Sequence, residues 1–133
     1  MSIHRRNFIK LASAATLTVS AGAAAADTTQ IRTDLQVAMQ RHIERSQING
    51  AIPFIENKTA TVQRLYPIKA HPYILEGDGF FVMCAELRDD DGNEYEVDFY
   101  LVEARRGYRV VRTEIENRVV LKEMMQAGYV KKL

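Results

Sequence analysis

Few side chains in this chain could perform nucleophilic or acid–base chemistry. They are a single cysteine, Cys84, and three histidines, His4, His42 and His71. A cysteine nucleophile needs a histidine within hydrogen-bond reach and a third group that orients that histidine. No local motif supplies this arrangement, and Cys84 lies in the middle of an apolar run. The sequence therefore predicts a buried thiol that packs as a small apolar group.

His71 is the histidine with the most suggestive surroundings. It precedes a proline and Tyr73, and Tyr66 and Asp78 are close to it in sequence. His71, Tyr73, Tyr66 and Asp78 could therefore form the mouth of a ligand pocket. Histidine is suited to such a position because the imidazole can be neutral or charged near neutral pH. The alternative is a surface histidine without a ligand. His42 falls on the apolar side of a predicted helix, where packing at the edge of the core is expected.

The acidic segment Asp89–Asn93 resembles a calcium loop only superficially. An EF-hand loop needs oxygen ligands at alternating positions, a glutamate at its twelfth position and helices on both sides. Here the flanking segments alternate like strands, and Asp91-Gly92 is a hairpin turn signal. We therefore expect a solvated turn and no metal site. Zinc-ligand pairs, phosphate loops, haem-attachment motifs and Gly-Xaa-Ser-Xaa-Gly elbows are absent from the sequence as well. No catalytic residue and no cofactor is predicted.

The segment Phe80–Ile115 contains three runs that read as consecutive antiparallel strands, separated by turns at Asp89–Asn93 and Arg105–Gly107. The middle run alternates best, with Tyr95, Val97, Phe99 and Leu101 on one face. On the other face, acidic side chains of the middle run lie opposite arginines of the last run, as cross-strand charge pairs do. This mixed face could be solvated or could bind a partner protein. Its candidate residues are Glu96, Asp98, Tyr100, Val102, Arg109 and Arg112.

The remaining elements complete an α+β fold. Apolar residues from Thr28 to Asn49, among them Leu35, Met39 and Ile43, recur at helical spacing, with Gly50 as a stop residue in the left-handed conformation. Thr59–Tyr66 is the first predicted strand, and Pro67 and Pro72 then require an edge, a bulge or a loop. A short helix is predicted from Val119 to Ala127. The predicted architecture is a long N-terminal helix on a four-stranded antiparallel meander, with a short C-terminal helix.

The order of these elements over residues 28–115 resembles the cystatin-like and NTF2-like class, in which a curved sheet wraps a helix. The simpler cystatin-like layout fits better, because NTF2-like domains carry further helices before the sheet. This class contains enzymes, inhibitors and assembly modules, so the resemblance does not select a function.

The N-terminus carries paired arginines, Arg5 and Arg6, followed by Phe8 and Lys10 and a mild apolar run from Leu11 to Ala26. This pattern resembles a twin-arginine (Tat) signal peptide. The run is shorter and less hydrophobic than a membrane-spanning helix of roughly 20 apolar residues. The small residues Ala24 and Ala26 predict cleavage after Ala26. The resemblance implies recognition by the Tat translocase, a periplasmic location, and a single domain over residues 27–133 without a stable membrane span.

The charge of the predicted mature chain restricts its partners. Residues 27–133 contain 15 Lys and Arg against 17 Asp and Glu, a formal charge of −2, compared with +1 for the whole chain. A mildly acidic chain of mixed sign argues against nucleic acid as a partner. One cysteine also excludes an intramolecular disulfide, so the core alone must hold the domain.

Two functions remain open from the sequence. The first is a non-enzymatic exported binding or accessory domain that docks a protein partner, such as a redox enzyme that uses the same export route. The second is a small-ligand-binding or catalytic protein with a pocket between helix and sheet and His71 at its mouth.

Overall fold

The computed structural model describes the backbone of residues 21–133 and the side chains of residues 27–133. Arg5, Arg6, Phe8 and Lys10 lie outside the described residues, and so do the side chains of Ala24 and Ala26. The described chain folds as two α-helices and one antiparallel sheet. The elements, in chain order, are α1 (Ala21–Ser46), β1 (Ile52–Glu56), β2 (Thr61–Glu76), β3 (Phe81–Arg88), β4 (Glu94–Glu103), β5 (Tyr108–Ile115), α2 (Val119–Gln126) and β6 (Lys131–Lys132).

The predicted α+β class with an antiparallel meander is confirmed, but the strand count of four is wrong. Five strands lie in the order β1-β2-β3-β4-β5, and β6 pairs with the C-terminal end of β2. The additional strands are β1, which lies in the segment Ala51–Lys58 that was predicted as a short connection, and β6, for which no element was predicted. The pairing of β6 with β2 joins segments that are distant in sequence, so local patterns did not reveal it.

The two prolines interrupt β2 through bulges, as expected. Pro67 lies opposite Leu87, and the register then shifts before Lys69. A second shift occurs between Ala70 and Ile74, where three residues, including Pro72, lie opposite Cys84. Each shift removes residues from the regular ladder, which allows a strand to contain residues without a backbone donor.

Helix α1 packs one apolar stripe against the sheet. Leu35, Met39 and Ile43 are spaced by four residues, and each is at most 4% exposed. The helix ends at Ser46, three residues earlier than predicted. The expected left-handed conformation of Gly50 is confirmed, with φ of 83°, and Asn49 before it also has positive φ. No helix in the described part of the chain combines the length and the apolar character that crossing a membrane requires.

The sheet buries a different set of residues on each face. On the α1 face, the four predicted inward residues of β4 pack with α1: Val97, Phe99 and Leu101 are buried, and Tyr95 is partly buried. On the opposite face, α2 places Leu121 against Val82, Cys84 and Tyr100, and so forms a smaller second core. The predicted C-terminal helix is thus confirmed, and it covers part of the face that the sequence left open to solvent or a partner.

Candidate functional site

The four residues predicted at a pocket mouth do not line the two cavities of the described chain that border α1. The imidazole of His71 lies in the β2 bulge and pairs with Glu86 at 3.0 Å. Tyr73 is exposed, with Lys132 Nζ 4.6 Å from its ring centre. Tyr66 has the Arg64 guanidinium 5.9 Å from its ring centre, and Asp78 is exposed in the turn before β3. These residues are therefore distributed along β2 and its following turn.

The predicted partner face is divided by α2. Asp98 is 1% exposed and Tyr100 is 6% exposed, because the start of α2 and its flanking residues lie over them. Arg112 remains exposed, with its guanidinium 5.5 Å from the Tyr100 ring centre and its Nε 2.6 Å from Glu114. Val102 is half-buried and Arg109 is exposed. Two of the six candidate residues thus face the interior of this fold.

An arginine just before α2 neutralises the buried carboxylate. Arg118 Nη2 donates to Asp98 Oδ1 at 3.2 Å, and its Nε lies 3.0 Å from Glu96 Oε2. Asp98 Oδ2 has no hydrogen-bond partner among the described residues. Burial is the largest single influence and would lower the pKa of Arg118, but the negative charges near it, above all Asp98 but also Glu96, together with the hydrogen bond to Asp98, outweigh burial and raise the pKa. Arg118 therefore joins the start of α2 to β4 as a permanently charged group.

Cys84 belongs to this same structural cluster and lies opposite Asp98 in the β3–β4 ladder. The thiol is 8% exposed, and burial together with the neighbouring Asp98 carboxylate raises its pKa to about 12. A reactive cysteine instead needs a lowered pKa, because the thiolate is the nucleophile. This environment agrees with the expectation of a thiol that serves in packing.

We expect Cys84 to react very slowly with a thiol reagent in the folded protein. At pH 8 an unperturbed thiol with pKa near 8.5 is roughly one quarter ionised, whereas a thiol with pKa of about 12 is ionised to about one part in ten thousand. The native protein should therefore react about 1,000-fold more slowly with a chromogenic disulfide reagent than the urea-unfolded chain. Comparable rates in the two states would show that Cys84 is an accessible thiolate.

In the acidic turn between β3 and β4, the Asp89 carboxylate is hydrogen-bonded to other groups of the same turn and of β4. Asp89 is 5% exposed and accepts hydrogen bonds from the backbone N–H groups of Asp91 and Asn93, from the Asn93 side chain and from the Tyr95 hydroxyl. Burial would raise the pKa of Asp89, but these hydrogen bonds together lower it. No group of three potential metal-binding side chains is present among residues 27–133. Asp89 thus stabilises the conformation of its own turn.

An open groove lies between α1 and the start of β5, and we call it the arginine groove. It has a volume of about 830 Å³. One wall is the side of α1 that faces β5, and the other is the Ala104–Gly107 turn with the first residues of β5. The residues that line it are Asp34, Val37, Ala38, Arg41, His42, Arg45, Ala104, Arg105, Arg106, Gly107, Tyr108, Arg109 and Val110.

Five of these lining residues are arginines, and all five are exposed: Arg41, Arg45, Arg105, Arg106 and Arg109. None of them forms a salt bridge or a side-chain hydrogen bond within residues 27–133, whereas Arg88, Arg112 and Arg118 elsewhere are all paired. Asp34 is the one acidic side chain that lines the groove. Five positive charges therefore surround one cavity in a chain segment whose formal charge is −2. Such a cavity attracts anions.

His42 separates the arginine groove from a second, smaller cavity. That cavity has a volume of about 230 Å³ and is lined mainly by apolar residues of β1, β3, β4 and β5. The ring of His42 packs edge-on against Phe99 with a centroid distance of 5.7 Å, and burial lowers its pKa. A volume of 230 Å³ is below the roughly 300–1,000 Å³ of typical small-molecule sites. The core-edge position expected for His42 agrees with this geometry, but its place on a groove wall was not foreseen.

The arginine groove was not predicted from the sequence. Arg41 fell on the polar side of the predicted helix, and Arg105-Arg106 read as part of a tight turn. The available signal was that Arg41 and Arg45 are one helical turn apart, and that a basic pair occupies a hairpin turn. Neither pattern predicts that the helix and the turn lie next to each other in the fold. Only the packing of α1 across the sheet brings them together.

Comparisons of the chain with protein-family models, with curated proteins and with solved structures give no match.

Proposed function

We propose that this protein is a non-enzymatic binding domain whose arginine groove holds a negatively charged ligand group. The observation that carries this proposal is the convergence of five exposed, unpaired arginines on one cavity of about 830 Å³. Arginine is the side chain best suited to carboxylates and phosphates, because its planar guanidinium donates two parallel hydrogen bonds. An unpaired arginine cluster retains these donors for a ligand.

The chemistry of the groove favours binding over catalysis. Its lining contains five arginines, one carboxylate and His42, without a nucleophile and a base in contact. The Cys84 thiol belongs to the second core on the opposite face of the sheet, where its pKa is raised. A general acid or base also needs a partner group that orients it, and His42 Nε2 has a long contact of 3.5 Å with the Thr113 hydroxyl.

The export pattern gives this proposal a cellular setting. The Arg5-Arg6 motif with Phe8 and Lys10 supports export through the Tat translocase, cleavage near Ala26 and a periplasmic location. In that setting the domain acts as an accessory protein that docks a protein partner, such as an exported redox enzyme. The order of a helix followed by a meander agrees with a cystatin-like arrangement.

Binding of a fluorescently labelled hexaglutamate peptide, followed by fluorescence anisotropy, tests this function. The double variant Arg41→Gln, Arg45→Gln should weaken binding about tenfold, because two charge-assisted contacts of about 0.7 kcal/mol each are lost and about 1.4 kcal/mol corresponds to a factor of ten. Raising the salt concentration should weaken binding of the unmodified protein, since exposed charges are screened over a Debye length of about 10 Å at 0.1 M.

The matched control is Arg64→Gln, Arg88→Gln, which removes the same charge from two exposed arginines outside the groove. It should leave the dissociation constant within about twofold of the unmodified protein if the groove is the site. Equal losses of peptide affinity in the two double variants would refute the groove as the binding site and would indicate nonspecific attraction between charges.

A further inference from the structure

We propose that the ligand of the arginine groove is an extended acidic segment of a partner protein, which adds to the free edge of β5 with alternate side chains in the groove. This inference rests on the proposed function and specifies its ligand. It combines three observations: an open sheet edge, the spacing of the arginines and the shape of the groove.

The edge of β5 is available for strand addition. In the described part of the chain, β5 is the last strand of the sheet and pairs with β4 alone. The backbone groups on its outer side therefore have no strand partner. A peptide that pairs with such an edge gains affinity from main-chain hydrogen bonds and specificity from its alternate side chains. Tyr108 and Val110, which begin β5, also line the groove.

The groove is lined by α1 over the length of several residues. The α1 residues that line it extend from Asp34 to Arg45, which corresponds to about 16 Å along a helix axis. An extended segment of about five residues covers the same distance. Small-molecule sites are mostly apolar and enclosed, whereas this groove is open and its charged residues are mainly arginines. A charged polymer segment fits these properties better than a small buried ligand.

The spacing of the arginines matches an extended chain. Arg41 and Arg45 are one turn apart on α1, a rise of about 6 Å. Side chains on one face of a strand repeat about every 6.6–6.8 Å. Carboxylates at every second residue of an extended segment can therefore meet successive arginines. Consecutive carboxylates would direct half of their charges away from the groove.

A bulge in β5 sets the limit of the paired stretch. Leu101 lies opposite Val110 and Tyr100 lies opposite Arg112, so Val111 is an extra residue without a partner in β4. Bulges of this kind commonly protect an edge from unwanted pairing. We therefore place the added segment beside Tyr108–Val110, at the end of β5 where the groove lies.

Two isomeric ten-residue peptides test the extended conformation. One alternates glutamate and threonine, and the other has five consecutive glutamates followed by five threonines. The alternating peptide should bind the protein at least tenfold more tightly by fluorescence anisotropy, and Arg41→Gln, Arg45→Gln should remove most of that advantage. Equal affinity of the two isomers would refute the proposal that the ligand is an extended segment. If both isomers then bind the arginine variant more weakly than the unmodified protein, the proposed anion-binding function is still supported. If the arginine variant binds both isomers as tightly as the unmodified protein does, both proposals are refuted.

Backbone methylation tests the pairing with β5 directly. In an extended segment, the N–H groups of alternate residues point to opposite sides, so only one set can pair with the edge. We expect N-methylation of either the glutamates or the threonines of the alternating peptide to weaken binding at least tenfold, and the other set to have a much smaller effect. Equal effects of the two sets would exclude edge pairing.

Discussion

Replacing Arg118 with methionine is expected to lower the free energy of unfolding by about 3 kcal/mol. Removing one partner of a buried ion pair typically costs 3–5 kcal/mol, and the lower end applies because the Arg118 side chain is about 30% exposed. Arg118 is the hydrogen-bond donor to Asp98, whose second carboxylate oxygen has no partner among the described residues. The variant therefore leaves a carboxylate that is 1% exposed without a counter-charge. Urea denaturation followed by circular dichroism measures this loss.

Two further variants identify the cause of this effect. Arg88→Met removes an arginine from an exposed ion pair with Glu94 and should cost less than about 1 kcal/mol. Adding Asp98→Asn to Arg118→Met should recover at least about 1 kcal/mol, because the unpaired charge is removed. The account of α2 as a helix attached to the sheet by this pair is wrong if Arg118→Met and Arg88→Met destabilise the protein equally.

Leu35→Ala should destabilise the protein by about 3–4 kcal/mol. Leu35 is fully buried between α1 and the sheet, and a Leu→Ala change in a packed core costs 2–5 kcal/mol, depending on how far the cavity collapses. The same helix carries Arg41 and Arg45, so the packing of Leu35 also fixes one wall of the arginine groove. The midpoint of thermal or urea unfolding reports the change.

Val37→Ala is the matched control on the same helix. Val37 is 42% exposed and lines the groove without entering the core, so its truncation should cost less than about 1 kcal/mol. Equal destabilisation by Leu35→Ala and Val37→Ala would contradict the assignment of which side of α1 faces the sheet.

Those parts of the fold that depend on local periodicity could be predicted. The alternation in β4 identified Val97, Phe99 and Leu101 as inward residues, and helical spacing identified Leu35, Met39 and Ile43. The left-handed Gly50 followed from its place after a helical pattern. In each case the residues that determine the outcome lie within one element.

Two of the unpredicted features, β6 and the covering of Asp98 and Tyr100 by α2, depend on contacts between segments that are distant in sequence. β6 consists of two lysines that pair with Leu75 and Glu76, and nothing in Lys131-Lys132 favours a strand by itself. β1 is next to β2 in sequence, but it contains Pro53, which is rare inside strands. Its apolar Ile55 is 65% exposed, so apolar residues lie on both faces of β1 and do not alternate with polar ones. Alternation correctly separated Asp98 and Tyr100 from the inward residues of β4. It could not show that a helix twenty residues later would cover them.

The candidate site was the least predictable part for the same reason. Its arginines come from α1, from the β4–β5 turn and from β5, three segments that are separated by more than 50 residues in sequence at the widest. Each arginine taken alone is a typical solvated side chain. Only their convergence distinguishes them, and convergence is a property of tertiary packing.

The most direct test of the arginine groove is to map ligand contacts by NMR on ¹⁵N-labelled protein during a titration with the alternating glutamate–threonine peptide. The account predicts amide shift changes concentrated in Ala104–Val110 and in the Val37–Arg45 part of α1, with dissociation constants that agree between residues. Residues around His71 in the β2 bulge should remain unperturbed. Shift changes centred on Tyr66–Asp78, with the groove unaffected, would contradict the account and restore a site around His71.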